Sequence, residues 1–335
     1  MTSASEVTVS ARPVTEVSSY RQGLKYRWQL AGADEAAVRQ AMSACSLSYP
    51  VARTLAARGM IDAATMLAFL SIGYDRVADP SLLYGAEAAV DRLQQALVHK
   101  EKVLIFGDYD VDGITSSAIM LISLLPLGAN INFFLPNRVR DGYGLSAAVV
   151  RKAAANGYRL IVTVDNGISA HEAVLEARKL GVEVIITDHH RPHDSLPEAA
   201  IIVNPQQPAC TYPYKEFAGA GVIFKIMVLL YRRLGKELPA KAYELLMLGT
   251  VADVVPLVNE NRYWVHHGLQ LVNRAQSVAM QVLIANGKLQ EKQLLTARDI
   301  GFMIAPQLNA LGRLDDPREG VTFLISDNPD EVAVI

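Results

Sequence analysis

The chain has 335 residues, about half of them apolar and a fifth charged, with a formal net charge of −2, so it can bury a sizeable core and has no bulk attraction to nucleic acid. Its two cysteines, Cys45 and Cys210, are far apart and lack metal-ligand spacing, which excludes a disulfide framework or a zinc site and fits reduced thiols in a cytoplasmic protein. No apolar run reaches the length of a membrane span, so no membrane association is expected.

Residues 1–22 are rich in Ser, Thr and Val, with neither a basic start nor an apolar stretch; they read as a disordered tail and not as a secretory signal. Residues 23–100 form a helical subdomain. Helices open at Asp34-Glu35, at Ser48-Tyr49-Pro50 and at Asp62-Ala63, and a longer one over 85–99 puts Ala88, Val90, Leu93 and Leu97 on one face. No chemistry is visible in them.

From residue 101 to 256 strands and helices alternate. Strands are predicted at 102–107, 130–136, 159–164, 182–187 and 200–203, and helices at 115–127, 146–156 and 170–180. Gly128, Gly157 and Gly181 stand where a helix C-terminus favours glycine. The pattern specifies an α/β fold with a doubly wound, mainly parallel sheet, whose ligand sites form beyond the carboxyl ends of the strands. Helices over 220–234 and 240–251 follow. Residues 257–335 read as a helical connector toward a second domain, with a helix near 265–274 and another opening at Asp327-Asn328-Pro329.

The unusual residues do lie just after the strands. Asp108, Asp110 and Asp112 crowd one strand-to-helix turn; a helix cap accounts for one of them at most, and a cation accounts for all three. Asp165 follows the third strand within Asp-Asn-Gly, which is also a turn signature. Asp188-His189-His190 follows the fourth. A histidine nitrogen tilts a carboxylate site toward Mn²⁺ and away from Ca²⁺, and Asp188 is placed to orient an imidazole. Asp253 ends the helix Gly249-Thr250-Val251-Ala252. His266 and His267, in a helical stretch without acidic neighbours, read as surface or packing residues. A parallel sheet brings Asp110, Asp112, Asp165 and His189 to one edge, with Asp253 arriving from a neighbouring helix. That makes five or six ligands for two divalent ions about 3.5–4 Å apart, the arrangement for in-line phosphoryl displacement.

Asp-Tyr-Asp-Val-Asp-Gly, Val-Asp-Asn-Gly-Ile, Asp-His-His and Gly-Thr-Val-Ala-Asp-Val-Val-Pro-Leu, in this order, resemble the four motifs of the DHH phosphoesterase family. Residues 136–145 and 309–313 extend the resemblance to its RecJ branch, the single-strand-specific 5′→3′ DNA exonucleases, over roughly residues 45–330. The resemblance implies that Asp110, Asp112, Asp165, His189 and Asp253 hold Mn²⁺ or Mg²⁺, with Asp108 in or beside the shell. His190 would touch the scissile phosphate, making His190, Asp165 and Asp110 the catalytic set. Arg138, Tyr143, Asn309 and Arg313 would bind DNA. Smaller DHH enzymes carry a histidine where this chain has Phe106. Ser116 and Ser117 read as first-turn helix residues.

The function implied is a two-metal exonuclease that degrades single-stranded DNA to mononucleotides in repair and recombination. Its expected partners are single-stranded DNA and a single-strand-binding protein or a helicase. The alternatives are a DHH phosphodiesterase for short oligonucleotides or cyclic dinucleotides, and a catalytically silent replication scaffold. The filled motifs weigh against the scaffold, and the stretches 138–145 and 309–313 against the smaller substrates. Enzymes of this type continue into a second, substrate-gripping domain, so the resemblance implies the catalytic part of a longer enzyme or a shortened relative.

Overall fold

Each apolar run followed by a polar turn becomes a strand of a single sheet. The computed structural model describes residues 20–334 except 72, 138–141, 143, 194 and 315, and describes only the backbone at 312–314. The strands are β1 (Lys102–Gly107), β2 (Asn130–Phe134), β3 (Leu160–Val164), β4 (Glu183–Thr187) and β5 (Ile201–Val203). All pair in parallel, in the order β2-β1-β3-β4-β5. From β1 the chain steps outward to β2, then returns past β1 to place β3 on its other side. This reversal puts the topological switch point between β1 and β3, and the crevice beyond their carboxyl ends is where such a sheet binds ligands.

Helices cover both faces. They are α1 (Ala86–His99), α2 (Val111–Leu124), α3 (Ala147–Ala155), α4 (His171–Lys179), α5 (Gly219–Arg233), α6 (Lys241–Ala252) and α7 (Asn259–Arg274). Strand side chains alternate between two cores. Val103, Ile105, Leu160, Val162, Val164 and Ile185 join the larger core with α1, α2, α5 and α6. Leu104, Phe106, Ile161, Val184 and Ile186 join a second core with α3 and α4. Burial on both faces explains why these strands read as continuous apolar runs. Phe106 is fully buried and stacks on Phe134, so this ring is part of the second core. Gly128, Gly157 and Gly181 adopt the left-handed conformation expected of glycines that end helices.

One boundary differs in a way that matters. The predicted helix at 115 starts at Val111, because the Asp110 side chain accepts the Gly113 N–H and caps it there. Ser116 and Ser117 are therefore beyond the first turn, fully buried, with their N–H groups in the helical ladder.

A buried polar cluster ties the larger core together. Glu260 on α7 accepts from the Ala78 N–H, the Tyr212 hydroxyl and the Lys225 ammonium of α5. Lys225 and Glu260 are almost completely buried, and Tyr212, Phe217 and Trp264 surround the ammonium. Removing one partner alone would leave a buried unpaired charge, at about 3–5 kcal/mol.

Beyond α7 the described chain stays helical, with α8 (Val278–Asn286), α9 (Ala305–Leu314), α10 (Pro317–Ile325) and α11 (Pro329–Val334). Residues Ile300–Ile304 form a π-helical turn leading into α9. The described residues fall into two compact units that divide after Ser71. In the first, Arg21–Gln22 pairs antiparallel with Arg27–Trp28. Three helices, Glu35–Cys45, Tyr49–Ala57 and Ala63–Leu70, then enclose a small core of Val38, Ala41, Ala52, Leu55 and Met66. Asp34 and Asp62 cap the first and third of these helices, where the sequence pattern starts them.

Candidate metal centre

The expected residues converge at the switch point. Asp108 follows β1, Asp110 caps α2 and Asp112 lies in its first turn. Asp165 follows β3, His189 lies two residues beyond β4, and Asp253 closes α6. Among the described residues, three overlapping sets could each share a cation: Asp108 with Asp110 and Asp165, Asp112 with His189 and Asp253, and Asp165 with His189 and His190. Within each set the donor atoms lie within 4.8 Å of one another. Asp108, Asp110 and Asp112 do not alternate along one extended segment, since the helix begins between the last two. The helical turn at Val111, and not strand alternation, brings Asp112 toward β4.

His189 Nε2 is the hub. It lies 3.1 Å from Asp165 Oδ1, 3.7 Å from Asp253 Oδ2 and 3.8 Å from Asp112 Oδ2. Both His189 Nε2 and Asp165 Oδ1 are buried without a hydrogen-bond partner. Such orphans cost roughly 1–3 kcal/mol each, and more where a charge is involved. A divalent cation would satisfy both atoms at once, and carboxylates with one imidazole are a donor set suited to Mn²⁺ or Mg²⁺.

The electrostatics agree. Burial, reinforced by Asp112 and Asp110, pushes the Asp165 carboxyl well above the carboxylate range. Burial also raises Asp112. Asp253 is pushed up to about 8 by burial and then by Asp112, and Asp108 to about 7 by burial and then by Asp110. Burial lowers His189, keeping its imidazole neutral and able to act as a ligand.

His190 has a different environment. Its Nδ1 lies 2.7 Å from Asp188 Oδ1, and Asp188 also accepts the N–H groups of His189, His190 and Ile168. That hydrogen bond raises His190 to about 9 against the opposing effect of burial, while the Asp188 carboxyl is held below its usual range despite its burial. Asp188 thus orients His190, one of the two imidazoles the sequence left open. A histidine held protonated is a poor cation ligand and a good donor to an anionic oxygen.

Further residues shape the site without being candidate ligands. The Gly219 and Ala220 N–H groups, at the start of α5, donate to Asp112 Oδ2 and Oδ1 at 2.5 and 2.9 Å. A carboxylate 107 positions earlier therefore caps this helix. A Cβ on Gly219 would sit 2.6 Å from Asp165 Cβ, and one on Gly249 would sit 2.4 Å from Thr115 Oγ1 and 2.8 Å from Asp112 Oδ1. Only glycine lets α5 and α6 approach this closely. Asn261 Nδ2 donates to Glu216 O and Pro256 O, linking the segment that leads into α5 to the turn that leaves Asp253. Asp165 is itself left-handed at φ 64°, a conformation Asp tolerates; Val254, beside Asp253, is left-handed at φ 61°, which a β-branched residue tolerates poorly.

Of the expected DNA contacts, Arg138 and Tyr143 lie outside the described residues, as does the Arg313 side chain. Asn309 is half-buried on α9. His266 is exposed, and His267 packs against Tyr243 and Tyr263.

Residues 102–250, the segment holding every cluster residue except Asp253, match the model of the DHH family, N-terminal domain. This segment is a DHH-family domain. The chain is 40% identical over 310 residues to the single-stranded-DNA-specific exonuclease RecJ of Bacillus subtilis, covering 92% of this chain and 38% of that protein. Among solved structures, RecJ from Thermus thermophilus in complex with Mn²⁺ superposes with a TM-score of 0.74 at 30% identity, over 91% of this chain and 43% of that one. An exonuclease RecJ bound to manganese superposes with a TM-score of 0.69 at 35% identity, over 75% of this chain and 63% of that one. The chain spans less than half the length of the curated RecJ relatives it matches. Among the described residues, no helix is long and apolar enough to cross a membrane.

Proposed function

We propose that the chain carries the catalytic centre of a two-metal phosphodiesterase that removes mononucleotides from the 5′ end of single-stranded DNA. One observation carries the reading: the buried, partnerless pair His189 Nε2 and Asp165 Oδ1, 3.1 Å apart and ringed by four more aspartates at the switch point. The activity in the relatives' names supports DNA as the substrate, and the manganese-bound neighbours support Mn²⁺ or Mg²⁺.

In this reading Asp110, Asp112, Asp165, His189 and Asp253 hold two ions, with Asp108 beside them. When bound, such ions neutralise the phosphodiester and supply a nucleophile at neutral pH. The chain's own residues do the rest. Two backbone N–H groups fix the orientation of Asp112, so this donor needs no reorganisation. His190, held at Nδ1 by Asp188, keeps its Nε2–H for a phosphate oxygen, stabilising charge or donating a proton. Arg138, Tyr143, Asn309 and Arg313 are proposed to grip the strand. Residues 101–256 are proposed as the metal-binding domain and 257–335 as a helical connector. A role in repair and recombination, beside a single-strand-binding protein or a helicase, belongs to the same proposal. So does a cytoplasmic location, which the free thiols of Cys45 and Cys210 support.

The test is cleavage of single strands labelled at the 5′ or the 3′ end, with Mn²⁺ and with EDTA. Label should leave the 5′-labelled strand first, with Mn²⁺ only, and Asp110→Ala should abolish turnover. Cleavage that persists in EDTA, or in Asp110→Ala, rules the reading out.

A further inference from the structure

Beside His190 lies a cavity of about 400 Å³. It is large enough for a small organic ligand. Its lining includes the apolar residues Leu145, Ile168 and Ala170 and the polar residues Ser169, Arg191 and His193. Arg191 and His193 are both exposed. Asp188 is the sole carboxylate among the described lining residues, and both its oxygens already accept hydrogen bonds from His190, His189 and Ile168. The cavity therefore brings together the proposed phosphate-facing histidine, an arginine no described carboxylate neutralises, and apolar side chains. These are the features that a nucleotide unit requires: a cation for its phosphate and an apolar surface for its base and sugar.

Resting on the nuclease reading above, we infer that this cavity seats the nucleotide flanking the scissile phosphate, with Arg191 and His193 holding that nucleotide's own phosphate. Arg191 thereby becomes a substrate-binding residue, contributing through a phosphate contact and hence without sequence preference. His190 lines this cavity and also lies beside Asp165 and His189 of the metal cluster.

The experiment measures kcat/KM on a 5′-phosphorylated oligothymidylate with Mn²⁺ across a salt series, for wild type, Arg191→Gln, His193→Gln and, as a control, Arg151→Gln. Arg151 is an exposed residue of α3 paired with Glu176. Losing one charged hydrogen bond to phosphate should lower kcat/KM about tenfold for Arg191→Gln. The slope of log(kcat/KM) against log salt should become shallower by about 0.7, one single-strand phosphate contact. His193→Gln should show a smaller drop, and Arg151→Gln should follow wild type. An Arg191→Gln slope equal to that of wild type overturns this inference while leaving the nuclease reading in place. No turnover by wild type with Mn²⁺ overturns both. A melting temperature for each variant separates lost contact from lost fold.

Discussion

Asp165 serves the cluster at a cost to the fold. Its carboxylate is buried among other carboxylates, one of its oxygens has no partner, and its backbone is left-handed. Each feature is unfavourable without a cation and useful with one. Asp165→Asn keeps a residue that tolerates the left-handed conformation and removes the charge. It should raise the melting temperature of metal-free protein, by on the order of 1–2 kcal/mol of stability, and abolish the further rise that Mn²⁺ brings. Calorimetry in EDTA and in Mn²⁺ would check both arms; a destabilised metal-free variant would mean that Asp165 is a structural turn residue first. At this scale the sequence was informative about identity: three acids in one turn, an acid after the next strand and a doubled histidine announce a cation. It was uninformative about which imidazole Asp188 orients, because only the folded turn brings the His190 ring back onto the Asp188 carboxylate.

The elements position the cluster by close approach. The N-terminus of α5 holds Asp112, and α6 passes close enough that Gly249 has no room for a methyl group. Gly249→Ala must push α6 away from α2 or displace Asp112. Overpacking of this kind costs about 1–3 kcal/mol, and here the displaced group is a proposed ligand. We expect weaker Mn²⁺ binding, measurable by titration calorimetry, with the parallel sheet intact by circular dichroism. Unchanged affinity would show that α6 can yield without moving Asp112. The strands and the helices of the alternating region were legible from apolar runs and terminal glycines. The helix that supplies the Gly219 and Ala220 N–H groups was legible as a helix, yet its docking onto Asp112 was not, since nothing local in either segment records a partner more than a hundred residues away.

At the scale of the whole protein, the charges cluster at one end of the sheet while the net charge is nearly zero. The folded state raises Asp108 to about 7 and Asp253 to about 8 from 3.8, so it binds protons that the unfolded chain has released. Stability of the metal-free protein should therefore fall as pH climbs from the ordinary carboxylate range through about 8. His190 acts in the same direction: its contribution is complete below 6.5 and lost as pH rises through about 9. Mn²⁺ needs the deprotonated ligands, so its stabilising increment should grow with pH. Melting curves across pH, with EDTA and with Mn²⁺, should diverge toward alkaline conditions; parallel curves would sink the metal-centre reading.

Local sequence carried the strands, the helices of the alternating region, their parallel class and the chemistry of the acidic turn, because periodicity, capping and strand-end residues are properties of neighbours along the chain. The sheet order, and with it the switch point that unites the turns after β1 and β3, depended on packing between distant segments. So did the second life of Asp112 as the cap of α5, the Asp188–His190 pairing, and the cavity that Arg191 and His193 line. These arise when buried polar groups must find partners wherever the fold puts them, and a carboxylate deep in a core has no partner until the whole chain has closed around it.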